Sequence, residues 1–167
     1  MKYLIVVDMQ NDFISGTLGS REAASIVPAV KELVEGFDGR IIFTRDTHFE
    51  NYLDTREGRR LPVRHCIKDT DGWQICDDLK PYATTVVDKI SFGSTELSEL
   101  ISSTAAPSEI TLCGLCTDIC VISNAMLLKA AFPETDIKVV ASACAGVTPE
   151  SHLNALSAMK AVQIDIE

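Results

Sequence analysis

The residue of this chain best placed for covalent chemistry is Cys120. It follows the apolar run Leu112 to Cys116, which predicts a strand, and it lies near the start of the helical pattern that begins at Asp118. The first N–H groups of a helix lack partners within the helix, and the positive end of the helix dipole lies there. Such a position favours a thiolate and can bind an oxyanion. The sequence therefore indicates Cys120 as a nucleophile.

A cysteine nucleophile needs a proton acceptor and a positive neighbour, because a thiol near its ordinary pKa is mostly protonated at neutral pH. Asp8 closes the apolar run Lys2 to Val7, and Lys89 closes the run Thr84 to Asp88. Adjacent parallel strands would bring both side chains to the edge of the sheet where Cys120 lies. Taken singly, each is equally well explained as an ordinary polar residue at a strand end.

Two carboxylates and two histidines occupy the long polar stretch from Arg45 to Lys80. Asp46 and His48 are two residues apart, so in an extended chain their side chains point to the same side, and Glu57 and His65 follow within the stretch. Nitrogen and oxygen donors of this kind bind divalent metals. From the spacing alone, a solvated loop remains the alternative to a metal site. Loops of this length inside a domain are often functional.

The rest of the pattern predicts the elements that position these residues. Short apolar or β-branched runs predict strands at residues 2–8, 40–44, 84–88, 109–113, 136–141 and 162–166. Helical spacing predicts helices at residues 22–37, 95–101, 118–131 and 149–161. Thr148 is the predicted N-cap of the last helix, with Pro149 in its first turn. Strands and helices therefore alternate along the chain.

This alternation predicts an α/β fold. Short apolar strands alternating with amphipathic helices indicate a mostly parallel sheet of about six strands between two helical layers, a three-layer αβα architecture. Ligands of such sheets bind at the carboxyl ends of the strands, where the candidate residues fall. At 167 residues, with 46% hydrophobic composition, the whole chain from 1 to 167 is expected to form one domain.

Charge and composition restrict the partners. A formal net charge of −9 repels nucleic acid and anionic membrane surfaces, so neither is an expected partner, and a small-molecule substrate fits better. The amino-terminal apolar run is too short to span a bilayer and lacks a cleavage site, which predicts a cytoplasmic protein. The six cysteines are then expected to be reduced thiols rather than a disulfide framework.

Other motifs compete with this interpretation. Cys113-Gly114-Leu115-Cys116 has the C-x-x-C spacing of a redox pair or half a metal site, but no second cysteine pair accompanies it, and Cys113 is expected to lie in the core. Ser157 and Lys160 form an S-x-x-K on a late helix that lacks its companion motifs. His152 is expected on the surface of that helix.

Three segments together resemble the catalytic signatures of the isochorismatase-like cysteine hydrolases. They are Asp8-Met9-Gln10-Asn11-Asp12-Phe13, Asp88-Lys89-Ile90-Ser91-Phe92 and Gly114-Leu115-Cys116-Thr117-Asp118-Ile119-Cys120-Val121. The resemblance covers essentially the whole chain and implies a catalytic triad of Asp8, Lys89 and Cys120. It also implies a cis peptide between Leu115 and Cys116, with the N–H groups of Cys116 and Cys120 forming an oxyanion hole.

The polar stretch is similar to the metal-binding segment of nicotinamidases. Asp46-Thr47-His48, Glu57 and Leu61-Pro62-Val63-Arg64-His65-Cys66 carry this resemblance. It implies one divalent metal held by Asp46, His48, Glu57 and His65, which orients the substrate through its pyridine nitrogen. Zinc is the first expectation, and iron and manganese are also compatible with nitrogen and oxygen ligands.

The same resemblance implies substrate contacts from Phe13 and Leu115. Trp73 or Tyr52 would supply a further aromatic wall. Many nicotinamidases have an aromatic residue before the Pro-x-x-His segment, whereas this chain has Leu61. Recognition of a pyridine ring is the feature that this departure puts in question.

The resemblance implies an amidase that converts nicotinamide to nicotinate and ammonia through a thioester on Cys120, in NAD salvage. The alternatives are a related hydrolase acting on another amide or ureido substrate, of the N-carbamoylsarcosine amidase kind, or an isochorismatase. A non-catalytic or redox binding protein on the same scaffold is a third class. Members of the family are usually dimers or larger, so a homo-oligomer is expected.

Overall fold

Six strands form one sheet in which every neighbouring pair is parallel. The computed structural model describes all residues from Met1 to Glu167. The strands are β1 (Lys2–Val7), β2 (Arg40–Asp46), β3 (Val86–Lys89), β4 (Glu109–Leu115), β5 (Asp136–Ala145) and β6 (Asp165–Ile166). Their order across the sheet is β3-β2-β1-β4-β5-β6. The predicted α/β class and the predicted number of strands are confirmed, and the sheet is wholly rather than mostly parallel.

Seven helices connect or flank these strands. They are α1 (Asn11–Ile14), α2 (Arg21–Ser25), α3 (Val27–Gly36), α4 (Arg56–Arg60), α5 (Thr95–Thr104), α6 (Ile122–Ala131) and α7 (Pro149–Ala161). Connections between parallel strands are right-handed. The helix α3, which precedes β2, therefore covers one face of the sheet, and α5, α6 and α7, which follow β3, β4 and β5, cover the other. In keeping with this, α5, α6 and α7 pack side by side. The result is the predicted three-layer arrangement.

One hydrophobic core lies on both faces of the central strands. The side chains of β1 from Tyr3 to Val7 are completely buried, which explains why that strand is continuously apolar rather than alternating. Gly114 in β4 has a positive φ of 112°, and a Cβ there would lie 2.1 Å from the carbonyl oxygen of Val7. Only glycine lets β4 approach β1 this closely. None of the helices is both long and apolar enough to cross a membrane.

Some predicted boundaries were wrong. The helix predicted at 22–37 is two helices, since α2 ends at Ser25 and α3 begins at Val27 with Pro28 in its first turn, where a missing N–H is tolerated. The helix predicted at 118–131 starts with a π-helical turn, Thr117–Val121. The last strand is limited to Asp165–Ile166. The long polar stretch contains α4 and two short 3₁₀ turns, Tyr52–Asp54 and Lys80–Tyr82.

Strand order decides which functional residues become neighbours. Asp8 follows β1, and Cys116 follows β4, the strand beside it. Asp46 ends β2 and lies opposite Lys89, the last residue of β3. The order of strands reverses between β1 and β4, and in doubly wound sheets ligands bind at such a point, beyond the carboxyl ends of the strands.

Candidate active site

Lys89 is the centre of a buried cluster that joins the three residues predicted to form a triad. Its Nζ lies 2.6 Å from Oδ2 of Asp8 and 3.4 Å from Sγ of Cys120. It also contacts the carbonyl oxygen of Ser91 at 3.1 Å. Asp8, Lys89 and Cys120 are 0%, 2% and 5% exposed. The structure thus brings together a carboxylate and a cation from two strand ends and a thiol from the helical turn after a third strand.

Thr44 in the neighbouring strand β2 holds Asp8 in place through two hydrogen bonds. Its Oδ1 accepts a hydrogen bond of 2.6 Å from the Thr44 hydroxyl, and its backbone N–H donates to the Thr44 carbonyl oxygen at 3.2 Å. Asp8 itself has a positive φ of 47°, which turns the chain out of β1 at this point. One carboxylate oxygen is therefore committed to Thr44, and the other faces Lys89.

Burial dominates the proton affinities of this cluster. Burial raises the pKa of Cys120 well above its ordinary value, and Asp8 raises it further, against a smaller lowering effect of Lys89. Burial likewise raises the pKa of Asp8, although Lys89 opposes this. Burial thus opposes the effect that the start of the helix was expected to have on the pKa of this thiol.

The segment that carries Cys120 is held in place by side chains that were not predicted from the sequence. Asn124 in α6 is completely buried and donates from Nδ2 to the Cys120 carbonyl oxygen at 2.8 Å. The Thr117 hydroxyl lies 2.8 Å from Nδ1 of His152, which is half-buried rather than a plain surface residue. The peptide bond between Leu115 and Cys116 is cis, as the resemblance implied. The residues around Asn124 and His152 in the sequence give no indication of these contacts.

Four side chains of the polar stretch meet beside this cluster. Nε2 of His48 lies 2.9 Å from Oδ2 of Asp46 and 3.5 Å from Oε1 of Glu57. Nε2 of His65 lies 3.6 and 3.7 Å from the same two oxygens. One donor atom from each of the four residues falls within 4.8 Å of all the others. Two nitrogens and two carboxylate oxygens therefore surround one point.

The surroundings of this donor set fit a divalent metal. Nδ1 of His65 lies 2.8 Å from the carbonyl oxygen of Val63, which can only accept, so Nδ1 carries the proton and Nε2 has a free lone pair. Nε2 of His48 is buried and makes no hydrogen bond of good geometry. Burial lowers the pKa of His48, but its contacts with Asp46 and Glu57 outweigh that and raise it to about 9. A metal ion would take the place of this proton between the carboxylates.

Asp46 connects the two clusters. Its Oδ2 faces the histidines, whereas its Oδ1 lies 3.4 Å from Nζ of Lys89. Gln10, also completely buried, fixes the backbone of Asp46 by accepting from its N–H at 2.7 Å and donating to its carbonyl at 2.9 Å. In the sequence Gln10 is one residue of the motif Asp8 to Phe13, and nothing there predicts that its side chain is buried between the two clusters.

A cavity of about 310 Å³ opens onto both clusters. Cys120, Asp46, Glu57 and His65 reach it from the polar side, and its apolar wall includes Phe13, Leu18, Leu61, Phe92, Ile119 and Val147. Four of these wall residues were not predicted, because a single apolar residue outside a periodic strand or helix has no pattern that indicates a cavity wall. They are Leu18, Phe92, Ile119 and Val147. A small aromatic amide is of a size that this space can enclose.

The predicted substrate contacts divide into two groups. Phe13 lines the cavity, and its ring centroid lies 5.6 Å from that of His65. The Leu115 side chain is 1% exposed, belongs to the core at the end of β4 and does not line the cavity, so it is not placed to contact a substrate there. Tyr52 packs against both histidines, and Trp73 lies under the Arg45 guanidinium, so neither forms a wall.

The remaining cysteines do not form a second reactive site. All six cysteines are free thiols. Cys113 is completely buried within β4, and burial raises its pKa well above the ordinary value, as expected of a core thiol. Cys116 reaches the cavity, whereas Cys113 does not. A C-x-x-C redox pair therefore has no support from the geometry.

A comparison with known protein families shows to which family this chain is related. The model of the isochorismatase domain family matches residues 2–167. The chain belongs to the isochorismatase family. An isochorismatase family protein of Bacillus subtilis is 30% identical over 93% of this chain and 92% of its own length.

Relatives with a named activity are nicotinamidases and pyrazinamidases. The nicotinamidase of Saccharomyces cerevisiae is 34% identical, over 53% of this chain and 56% of that enzyme, little more than half of its length. The pyrazinamidase of Pyrococcus horikoshii, whose crystal structure is in complex with zinc, is 29% identical. It superposes with a TM-score of 0.84 over 99% of this chain and 98% of that one. The isochorismatase family has therefore been predicted correctly from the motifs.

Proposed function

We propose that this member of the isochorismatase family is a metal-dependent cysteine amidase that hydrolyses nicotinamide to nicotinate and ammonia. The observation that carries the proposal is the contact of Lys89 with both Asp8 and Cys120, at a cavity that also holds the four-residue donor set. An amidohydrolase acting on a carbon–nitrogen bond is the class to which its named relatives belong.

The first half of the reaction makes a thioester. Asp8 accepts the proton of the Cys120 thiol, and Sγ attacks the carboxamide carbon. The raised pKa of Asp8 suits this role, because a more basic carboxylate takes up a proton at neutral pH more readily. Lys89 keeps a positive charge beside both groups as negative charge moves from one to the other. The proton on Asp8 passes to the amide nitrogen, the C–N bond breaks and ammonia leaves.

The second half releases the acid. Asp8, ionised again, accepts a proton from a water molecule that attacks the thioester carbonyl. The C–S bond breaks, the thiolate of Cys120 recovers the proton from Asp8, and the carboxylic acid product leaves as nicotinate. The N–H groups of Cys116 and Cys120 are the proposed donors to the oxyanion in both halves. Because burial excludes water around Sγ, each of these charge interactions is strong.

The metal site belongs to the same proposal. Asp46, His48, Glu57 and His65 would hold one divalent ion, with zinc as the first expectation, because two nitrogens and two oxygens suit it. When bound, the ion supplies a Lewis acid that holds the pyridine nitrogen of the substrate. The zinc complex of the Pyrococcus horikoshii relative supports this choice of metal. Phe13 would lie against the substrate ring.

One observation favours a second candidate. Leu61 lines the cavity where many nicotinamidases have an aromatic residue, and it is 38% exposed. A leucine offers no stacking surface for a pyridine ring. The alternative is therefore a different amide or a ureido substrate, hydrolysed by the same triad.

The deciding experiment measures ammonia release from nicotinamide by the purified protein. It is run on the protein as isolated, after chelation, and after re-addition of zinc, iron or manganese. Release that disappears with chelation and returns with a metal is the expected result. Absence of release with every metal, from a protein whose Cys120 is still alkylated by iodoacetamide, would refute nicotinamide as the substrate. A panel of other amides and ureido compounds would then test the second candidate.

A further inference from the structure

A second cavity of about 520 Å³ lies beside the one that holds the triad. Glu57, Leu61, Phe92 and Ile119 line both cavities and separate them. We call the second cavity the outer groove. His48 also reaches it, so the outer groove borders two of the proposed metal ligands, His48 and Glu57. A molecule bound in the inner cavity could extend into the outer groove past Leu61.

The outer groove contains two arginines without partners. Arg56 and Arg60 are four residues apart on α4, so their side chains leave the helix on the same side. Neither makes an ion pair or a side-chain hydrogen bond anywhere in the structure. By contrast, Arg45 pairs with Asp88 and Arg64 with Glu50.

Arg21 and Arg40 are likewise unpaired but do not line this groove, and the chain as a whole has 24 acidic and 15 basic residues. Carboxylates are abundant enough to neutralise exposed arginines, and the net charge of −9 would repel a free anion from most of the surface. Two unpaired guanidinium groups in one concave site would attract an anion locally, in contrast to the rest of the surface. Each presents a planar fork of donors that fits carboxylate or phosphate oxygens.

The rest of the groove is half apolar and half polar: Leu61, Ile90, Phe92 and Ile119 lie beside His48, Thr55, Ser91 and Glu57, whose carboxylate faces the two histidines of the donor set. Ile90 is 76% exposed and Phe92 is 44% exposed. Both exposed fractions are large for apolar side chains beside an active site. A ligand that covered them would gain from burial of apolar surface. The chemistry of the groove therefore calls for an apolar body with an anionic group.

We propose that the outer groove is an anion subsite, in which Arg56 and Arg60 bind a carboxylate or phosphate group next to the catalytic cavity. This inference rests on the proposed amidase function only for its link to the substrate. The anion can be a substituent of the amide substrate that reaches past Leu61, or a free anion that binds beside it.

The test measures binding in the absence of turnover. The Cys120→Ala protein, loaded with zinc, is titrated by calorimetry with neutral benzamide and with the three carbamoylbenzoates, which place a carboxylate ortho, meta or para to the carboxamide. At least one isomer should bind roughly tenfold or more tightly than benzamide, as expected for a charge-assisted pair. The Arg56→Gln/Arg60→Gln double variant in the same background should lose that preference.

Arg59 provides the matched control. It lies on the same helix, but its Nη1 donates to the Asp54 carbonyl oxygen at 2.7 Å and it does not line the groove. Arg59→Gln removes one positive charge from α4 and should leave the preference for the anionic isomer intact. Two results would overturn the subsite: equal affinities for benzamide and all three isomers together with no phosphate binding that depends on Arg56 and Arg60, or a loss in Arg59→Gln as large as in the double variant.

Inorganic phosphate distinguishes the two sources of the anion. At constant ionic strength, a preferred carbamoylbenzoate with which phosphate competes, while benzamide is unaffected, identifies a subsite for a substituent, because only that ligand needs the arginines. Phosphate that binds together with benzamide and is lost in the double variant, while no isomer binds more tightly than benzamide, identifies a free anion. Both outcomes are independent of whether nicotinamide is hydrolysed, so this inference and the proposed function can fail separately.

Discussion

The two halves of the candidate active site are built in different ways. Asp8 and Lys89 come from the ends of β1 and β3, and Cys120 lies in the helical turn that directly follows β4, so the parallel sheet and this turn bring them together. The donor set takes only Asp46 from a strand end, and His48, Glu57 and His65 come from the loop between β2 and β3. The triad depends on strand register, whereas the metal site depends on the fold of a loop.

Their surroundings differ as well. The triad residues are almost completely buried, and Lys89 is wedged between two carboxylates in the interior. In the donor set Asp46, His48 and His65 are buried to a similar degree, and only Glu57 has a side chain that is 20% exposed. Removal of Lys89 leaves two buried carboxylates without a cation, whereas removal of one donor leaves three others around the same point. Changes in the triad should therefore affect chemistry and stability together, and changes in the donor set should affect metal binding first.

The largest expected effect is the loss of turnover in Cys120→Ala. Without the thiol no acyl-enzyme forms, and we expect activity to fall by at least about a thousandfold. The variant should keep its metal, because Cys120 contributes no atom to the donor set. Steady-state ammonia release and metal analysis on the same sample measure both. Unchanged activity would contradict the triad, and loss of metal would contradict the separation of the two halves.

Replacement of Lys89 should affect the fold as well as the chemistry. Lys89→Met leaves Asp8 and Asp46 buried beside one another without a cation, which costs about 3–5 kcal/mol in the free energy of unfolding for buried pairs of this kind. The control is Lys138→Met, a partly exposed lysine paired with Glu109 and Glu167 on the surface, for which the change should be below about 1 kcal/mol. Urea denaturation at neutral pH measures both.

The pH dependence of that loss has a definite sign. Burial raises the pKa of Asp8 above its ordinary value, so its ionisation weakens the folded state as the pH rises past that value. Removal of Lys89 takes away the interaction that opposed this shift. The gap in stability between the natural protein and Lys89→Met should therefore shrink as the pH falls toward the ordinary pKa of a carboxyl group. A gap that widens in acid would contradict the assignment.

Replacement of His48 should lower metal content before it lowers stability. His48→Gln removes one nitrogen donor, and we expect metal affinity to fall roughly 10- to 100-fold or more. Elemental analysis after dialysis measures this, with Glu50→Gln as a control, since Glu50 is exposed in the same loop and outside the donor set. A full metal complement in His48→Gln would place the metal elsewhere. A cooperative unfolding transition close to that of the natural protein would support the contrast with Lys89.

Reactivity of the thiol should follow its pKa. Since burial raises the pKa of Cys120 well above that of a free thiol, alkylation by iodoacetamide should be slow at neutral pH and should keep rising into the alkaline range. The measurement is the rate of alkylation against pH, compared with free cysteine. A rate that levels off below the ordinary pKa of a thiol would mean that Cys120 is a thiolate at rest.

The smallest expected effect concerns the wall of the cavity. Leu61→Phe adds an aromatic face where many nicotinamidases have one, and we expect KM for nicotinamide to fall by a few-fold with kcat nearly unchanged. Steady-state kinetics with nicotinamide and one non-aromatic amide separate ring stacking from general packing. An equal change for both amides would count against a stacking role.

Much of this arrangement could be predicted from particular residues. The apolar runs that end in Asp8 and Lys89 identified strand ends, and the motif around Cys120 identified the nucleophile segment. The side-chain roles of Gln10 and Asn124 could not be predicted, because a buried amide has the same local sequence as an exposed one. The same limit explains Leu115, whose side chain points into the core although it adjoins the active site.

By itself the sequence determined the alternation of strands and helices, since periodic burial is written directly in the order of apolar residues. It also determined the chemical types of the reacting groups. The contacts of Lys89 with both carboxylates, and the raised pKa of the buried Cys120 beside Asp8, follow only from the folded chain. The same is true of the unpaired Arg56 and Arg60 in the outer groove. Proton affinity and ion pairing depend on neighbours that are distant along the chain, and those neighbours exist only once the sheet has formed.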